Sequence, residues 1–184
     1  MPTYLSIHFT EEEMTVTQTG KDNSIPKPED FVVNGVQVDV RSNLKTLVAN
    51  FLEPLRKAAN HPLHINSGFR SKAVNDAVPG SAKNSAHSFG CAADVAPIGG
   101  DWTVRAMLVW CRDNLVGWDQ LIDEQKGDGP GWLHIGLPRP GFPRRERQCL
   151  VMRNGVYSIF NDVEDEPLKP VEVQPESPDS KSMA

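Results

Sequence analysis

A histidine and an aspartate stand seven positions apart in "SAKNSAHSFGCAADV" (residues 81–95), and almost everything between and after them is small. This constrains the fold more than any other stretch. A chain that sets His87 and Asp94 among residues with almost no side chain can point both at one ion, provided other segments bring further ligands. "CAADVAP" alternates as a short strand. Ala92, Asp94 and Ala96 then share one face, and Cys91, Ala93 and Val95 the other. The Asp94 carboxylate lies between two alanines, on a floor with little bulk. "HSFG" can make a turn that returns His87 over Asp94, with Gly90 relieving a positive φ.

The missing ligand is found in "WLHIGL". As a strand it turns Trp132, His134 and Gly136 one way and Leu133, Ile135 and Leu137 toward a core. His134 then has an aromatic on one side and a glycine leaving space on the other. Two histidines and one aspartate make three nitrogen or oxygen ligands with a fourth position open, the pattern of a catalytic zinc. Mixed imidazole and carboxylate favours zinc over calcium, which prefers all-oxygen sites. Taken singly, each residue has an ordinary reading, a hydrogen-bonded strand histidine or a turn aspartate. The small neighbours favour the metal.

The remaining pattern predicts α+β architecture, with helices early and strands clustered later. Thr10 followed by Glu13 forms a capping-box pattern for a short helix. A polar loop follows through "KDNSIPKPEDF". "SNLKTLVANFLEPLRKAAN" carries Leu44, Leu47, Val48, Phe51, Leu55 and Ala58 on a helical period, with Ser42 or Asn43 as cap and Pro54 expected to kink or shorten it. "LHIN" is a strand, and "SKAVNDAV" is one or two helical turns capped by Ser71. "DWTVRAMLVWCRDNL" is a second amphipathic helix with Asp101 as cap. "WDQLIDE" and "WLHIGL" are strands joined by a glycine-rich turn.

The 184 residues suffice for one ordinary domain, expected over residues 1–160. Residues 161–184 are acidic, rich in proline, and expected to be a disordered tail. The segment from Asp162 holds seven acids and two lysines, which accounts for the whole net charge of -5. The body is near neutral, so no nucleic-acid-binding face is expected. Cys91, Cys111 and Cys149 are odd in number and widely spaced, which predicts buried free thiols rather than disulfides or a zinc ribbon. No apolar run reaches the length of a membrane span, and the N-terminus lacks a secretory pattern. The expectation is synthesis in the cytoplasm, a monomer, and action on the cell wall only after release, as in a phage or prophage context.

"INSGFRS", "GSAKNSAHSFGCAADV", "WDQLIDE" and "GWLHIGL", in that order, resemble zinc peptidases of the D-alanyl-D-alanine carboxypeptidase family. That family includes phage endolysins cutting between L-alanine and D-glutamate, and it shares its fold with the Hedgehog signalling domain. The likeness runs from about Phe9 to about Leu137. It implies a Hedgehog/DD-peptidase-like single domain, a small antiparallel sheet flanked by helices. It also implies zinc held by His87, Asp94 and His134, with a peptidoglycan stem peptide as substrate. Arg70 would contact that substrate, its guanidinium forking two hydrogen bonds to a carboxylate or developing oxyanion. Trp132 is assigned to substrate contact as well. Ser85 binds substrate or, as favoured, supports the loop. Much of the family has a glutamate three residues before the last histidine, where this chain has Gly131. Glu124, Asp123 and Asp128 are the nearest upstream acids, and Glu124 is the favoured general base. A zinc-bearing module that binds cell wall without cutting it, or a phage structural protein, is the alternative.

Overall fold

The computed structural model describes residues 2–15, 29–145 and 147–162. The chain begins with helix α1 (Glu11–Thr15), entered as expected with the Thr10 hydroxyl accepting from the Glu13 amide. The polar loop expected after it and the acidic tail lie largely outside the described residues. Strands β1 (Phe31–Val33) and β2 (Val36–Val38) form a hairpin. Asn34 and Gly35 turn it, with φ of 48° and 75°. Two successive positive φ values match the twist of the flanking strands, which is why Asn-Gly is favoured there.

Next come helices α2 (Val40–Leu47) and α3 (Glu53–Ala59), joined end to end by one π-helical turn, Val48–Leu52. The cap of α2 is Asp39, whose carboxylate accepts from the Ser42 amide at 2.8 Å, rather than Ser42 or Asn43. Pro54 does not shorten the helix, which runs on to Ala59. A proline lacks the amide proton of an α-helical bond and its ring crowds the carbonyl four residues back. The wider π turn just before it takes up that defect, and the Glu53 amide bonds the Val48 carbonyl.

The other elements are strand β3 (Leu63–Ser67), helix α4 (Lys72–Ala77) and strand β4 (Ala92–Pro97). Helix α5 (Val104–Asn114) and strands β5 (Gln120–Gln125), β6 (Trp132–Gly136), β7 (Gln148–Arg153) and β8 (Val156–Ile159) complete the order. Ser71 caps α4 as expected. Thr103, not Asp101, caps α5, accepting from the Ala106 amide two residues into the helix.

Strands β3 to β8 form one six-stranded sheet in the order β3-β4-β6-β5-β7-β8. It is larger than the small antiparallel sheet expected, and one neighbouring pair, β5 and β7, is parallel. Strand β6 occupies the inner edge of β5, so the chain reverses again and takes the outer edge in the direction of β5. The second hairpin, β7–β8, again turns on Asn-Gly, with φ of 53° at Asn154 and 84° at Gly155.

The main core lies on one face of this sheet. Ala93, Val95, Leu121, Leu133, Ile135 and Val151 point into it from the strands, Leu44, Leu47, Leu55, Met107, Leu108 and Cys111 from the helices. Cys91 and Cys111 are buried and Cys149 half-buried, all as free thiols. Burial pushes the Cys91 and Cys111 thiols up to about 12, so both are inert packing groups. The polar residues of β4 and β6 are left on the opposite face.

Asp39→Ala removes the α2 cap and should cost about 1 kcal/mol in urea unfolding. Ser42→Ala, at the position first expected to be the cap, should change the midpoint little.

Candidate metal centre

Pairing brings the two ligand-bearing strands side by side. In the β4–β6 register Asp94 stands opposite His134. The sheet face carrying them is the one away from the helices, and Ala92 and Gly136 are also opposite each other on it. The predicted alternation of "CAADVAP" and "WLHIGL" therefore holds in both strands. A 3-10 turn, Ala86–Phe89, brings His87 over this face. Gly90 ends the turn at φ 67°, and a Cβ there would stand 2.5 Å from the Val40 carbonyl.

The ligand atoms of His87, Asp94 and His134 all lie within 4.8 Å of one another, and all three residues are buried. Asp94 Oδ1 is 2.8 Å from His134 Nδ1 and 3.3 Å from His87 Nε2. Burial works to raise the Asp94 carboxyl. The two imidazoles beside it, His87 and His134, outweigh burial and hold the group well below the usual carboxylate range. Burial lowers the His87 imidazole, favouring its neutral form. Its Nδ1 lies 2.7 Å from the Gly68 carbonyl, an oxygen that only accepts, so Nδ1 carries the proton. The Nε2 lone pair then faces a carboxylate oxygen. Two acceptors pointed at each other in a buried site call for a cation, and the donor set of two imidazoles and a carboxylate fits zinc.

Gly136 shapes the third ligand. A Cβ at this position would sit 3.2 Å from His134 Nε2. The bare backbone lets the ring lie with Nδ1 turned toward Asp94.

Arg70 closes the site from the β3 side. Its Nη2 donates to Asp94 Oδ2 at 2.7 Å and its Nε to Ser67 Oγ at 2.7 Å. Its Nη1 makes no bond to the described residues. Ser67 was not foreseen. By plain alternation it would follow Leu63 and Ile65 into the core. A bulge between Ile65 and Ser67 shifts the register, so Ser67 pairs with Asp94 and faces the site. Arg139, also unforeseen, reaches from the exit of β6 to the Asn84 carbonyl and ties down the loop that leads to His87. Ser85 is buried just before the 3-10 turn. Its amide and carbonyl bond Ala82 and Ser88 and its hydroxyl makes no capping bond.

The three candidate acids separate cleanly. Asp123 faces the core side of β5 and is held by Arg153, both carboxylate oxygens lying 3.0 Å from the guanidinium. Asp128 is exposed in the β5–β6 turn. Glu124 stands on the metal face, opposite Trp132, with Ile122 opposite His134. Burial, which outweighs the opposing pull of His134, raises the Glu124 carboxyl to about 7. The buried Trp132 Nε1 makes no hydrogen bond to the described residues. Gly131, where much of the resembling family has its glutamate, packs against this same strand. A Cβ there would come within 2.7 Å of the Glu124 carbonyl.

The sequence profile of the peptidase M15 family matches residues 7–121, more than half of the chain. The chain belongs to the peptidase M15 family. It is a metallopeptidase-type hydrolase, and its buried His-Asp-His cluster fits the zinc of that family. The match includes Arg70, Ser85, His87 and Asp94 and ends at Leu121. Glu124, Trp132 and His134 lie beyond it and join the site through the register of β5 and β6. A comparison with curated proteins finds no match. Two surface hollows of about 660 and 480 Å³, one against α3 and one along α5, contain no member of the cluster.

His134→Ala should abolish zinc binding. Gly136→Ala should leave the fold intact and weaken zinc about 10-fold, since displaced support for a ligand typically costs at least that. Competition with a chromophoric chelator measures both.

Proposed function

We propose that this M15 chain is a zinc peptidase that hydrolyses peptidoglycan stem peptides, either removing a terminal D-alanine or cutting between L-alanine and D-glutamate. The observation that carries the reading is the arrangement on one sheet face of the His87, Asp94 and His134 cluster with the Glu124 carboxyl in a neighbouring row. A metal-binding module that only recognises cell wall would not need Glu124 there. The substrate class comes from the family resemblance, and the glutamate at 124 answers the glycine at 131.

His87, Asp94 and His134 would hold the zinc. When bound, zinc supplies a Lewis acid that polarises a peptide carbonyl and acidifies water. The work of the chain's own residues follows from their placement. Glu124 takes a proton at its carboxylate during attack and returns it to the leaving amine. A carboxyl raised by burial serves both steps near neutral pH better than an exposed one. Arg70, fixed by Ser67 and Asp94, keeps Nη1 for a substrate carboxylate or the developing oxyanion. Gly68, by accepting from Nδ1, keeps the His87 lone pair on Nε2. The cell wall is the proposed place of action, reached after release of a phage- or prophage-type enzyme.

Mass spectrometry of stem peptides and purified peptidoglycan, with chelator and with zinc restored, tests this reading. Cleavage should stop with the first and return with the second, and the product masses identify the bond. Glu124→Gln should keep zinc and lose turnover by about 10²- to 10⁴-fold. Asp123→Asn should do the reverse, lowering stability by about 1–3 kcal/mol through the unmatched Arg153 while leaving kcat close to that of the parent.

A further inference from the structure

The metal face carries a second apolar cluster that the mechanism leaves unused. Ile122, Leu150 and Met152 are buried apart from the main core, with the half-buried rings of Trp132 and Tyr157 packed on them. The registers of β6, β5, β7 and β8 align this cluster with the site. His134, Ile122, Leu150 and Ile159 form one row across the sheet, and Trp132, Glu124, Met152 and Tyr157 form the next. Two strand spacings separate Glu124 from Tyr157, ~10 Å between backbones. The apolar cluster is thus a pedestal that holds two aromatic rings on either side of the carboxyl.

On this face Asp94, His87, His134 and Arg70 have partners, whereas the Tyr157 hydroxyl, like the Trp132 indole Nε1, makes no hydrogen bond to the described residues. Its phenol is raised first by burial and then by the negative charges of Glu124 and Asp94, so it lies in the field of the site. A half-buried phenol without a partner, next to a peptidase centre, has its donor free for substrate.

We infer that Tyr157 is a substrate-positioning residue. Its hydroxyl donates to a carbonyl or carboxylate in the part of the peptide that continues past the scissile bond over β7 and β8. This rests on the peptidase reading and deepens it, because it makes the substrate an extended peptide rather than a dipeptide. Residues Leu150, Met152 and Tyr157 lie beyond the family match, so the preference belongs to the C-terminal hairpin of this chain.

The test is binding to zinc-loaded Glu124→Gln protein, with and without Tyr157→Phe, by calorimetry. The probes are the stem pentapeptide L-Ala-γ-D-Glu-L-Lys-D-Ala-D-Ala and the dipeptides L-Ala-γ-D-Glu and acetyl-D-Ala-D-Ala. Loss of one hydrogen bond should weaken the pentapeptide roughly 3- to 10-fold and leave the dipeptides unchanged. In the active protein the same change should raise KM for the pentapeptide and spare kcat. Equal pentapeptide affinity with and without the hydroxyl, at equal zinc content, would overturn the role of Tyr157 and leave the peptidase reading standing. Failure of the zinc-loaded protein to bind any of the three would overturn both. The phenylalanine ring preserves packing on Leu150 and Met152, and an unchanged thermal midpoint verifies that the variant is folded.

Discussion

One buried carboxylate organises this molecule. Asp94 is met by an imidazole from a 3-10 turn, an imidazole from the neighbouring strand and a guanidinium from the β3 exit. A charge taken out of water survives only when its partners are well placed, and removing one partner of such a buried pair typically costs about 3–5 kcal/mol. Each partner in turn depends on something less visible. His87 leans on the Gly68 carbonyl, Arg70 on Ser67, and His134 on the bare backbone of Gly136. The site is therefore a network in which the supporting groups are small or belong to the main chain. That is why a run of alanine, glycine and serine can surround so much chemistry.

Much of this was legible in the residues because strands obey a simple period. In "CAADVAP" and "WLHIGL" the alternation is uninterrupted, so facing directions follow by counting. The same counting fails at Ser67, where a bulge of one residue reverses the faces and no side chain announces it. It also stops short at "LIDE". Alternation separates Asp123 from Glu124 but does not say which face is the core. Only the pairing of Ile122 with His134 and the capture of Asp123 by Arg153 decide that. Arg153 is thirty positions away, on a strand the sequence reading never assigned.

Both hairpins escaped that reading although each carries the strongest short-range turn signal, Asn-Gly. The helix caps were misplaced for a different reason. Asp39 and Thr103 lie two to four residues from equally suitable serine, asparagine and aspartate side chains, and propensity does not rank neighbours of the same kind. The tolerance of Pro54 came from the π turn, a backbone adjustment with no residue signature of its own.

The place of β6 in the sheet has a consequence for synthesis. This strand is the last to leave the ribosome before the β7–β8 hairpin, yet it sits in the middle of the sheet, bonded to β4 on one side and β5 on the other. Until Trp132–Gly136 emerges, β4 and β5 both present raw edges, and unpaired edges are templates for association between chains. Insertion of one five-residue segment closes both edges and delivers His134 in the same event. A nascent chain thus lacks its third ligand for as long as β4 and β5 are unjoined, and His134 arrives with the strand that joins them.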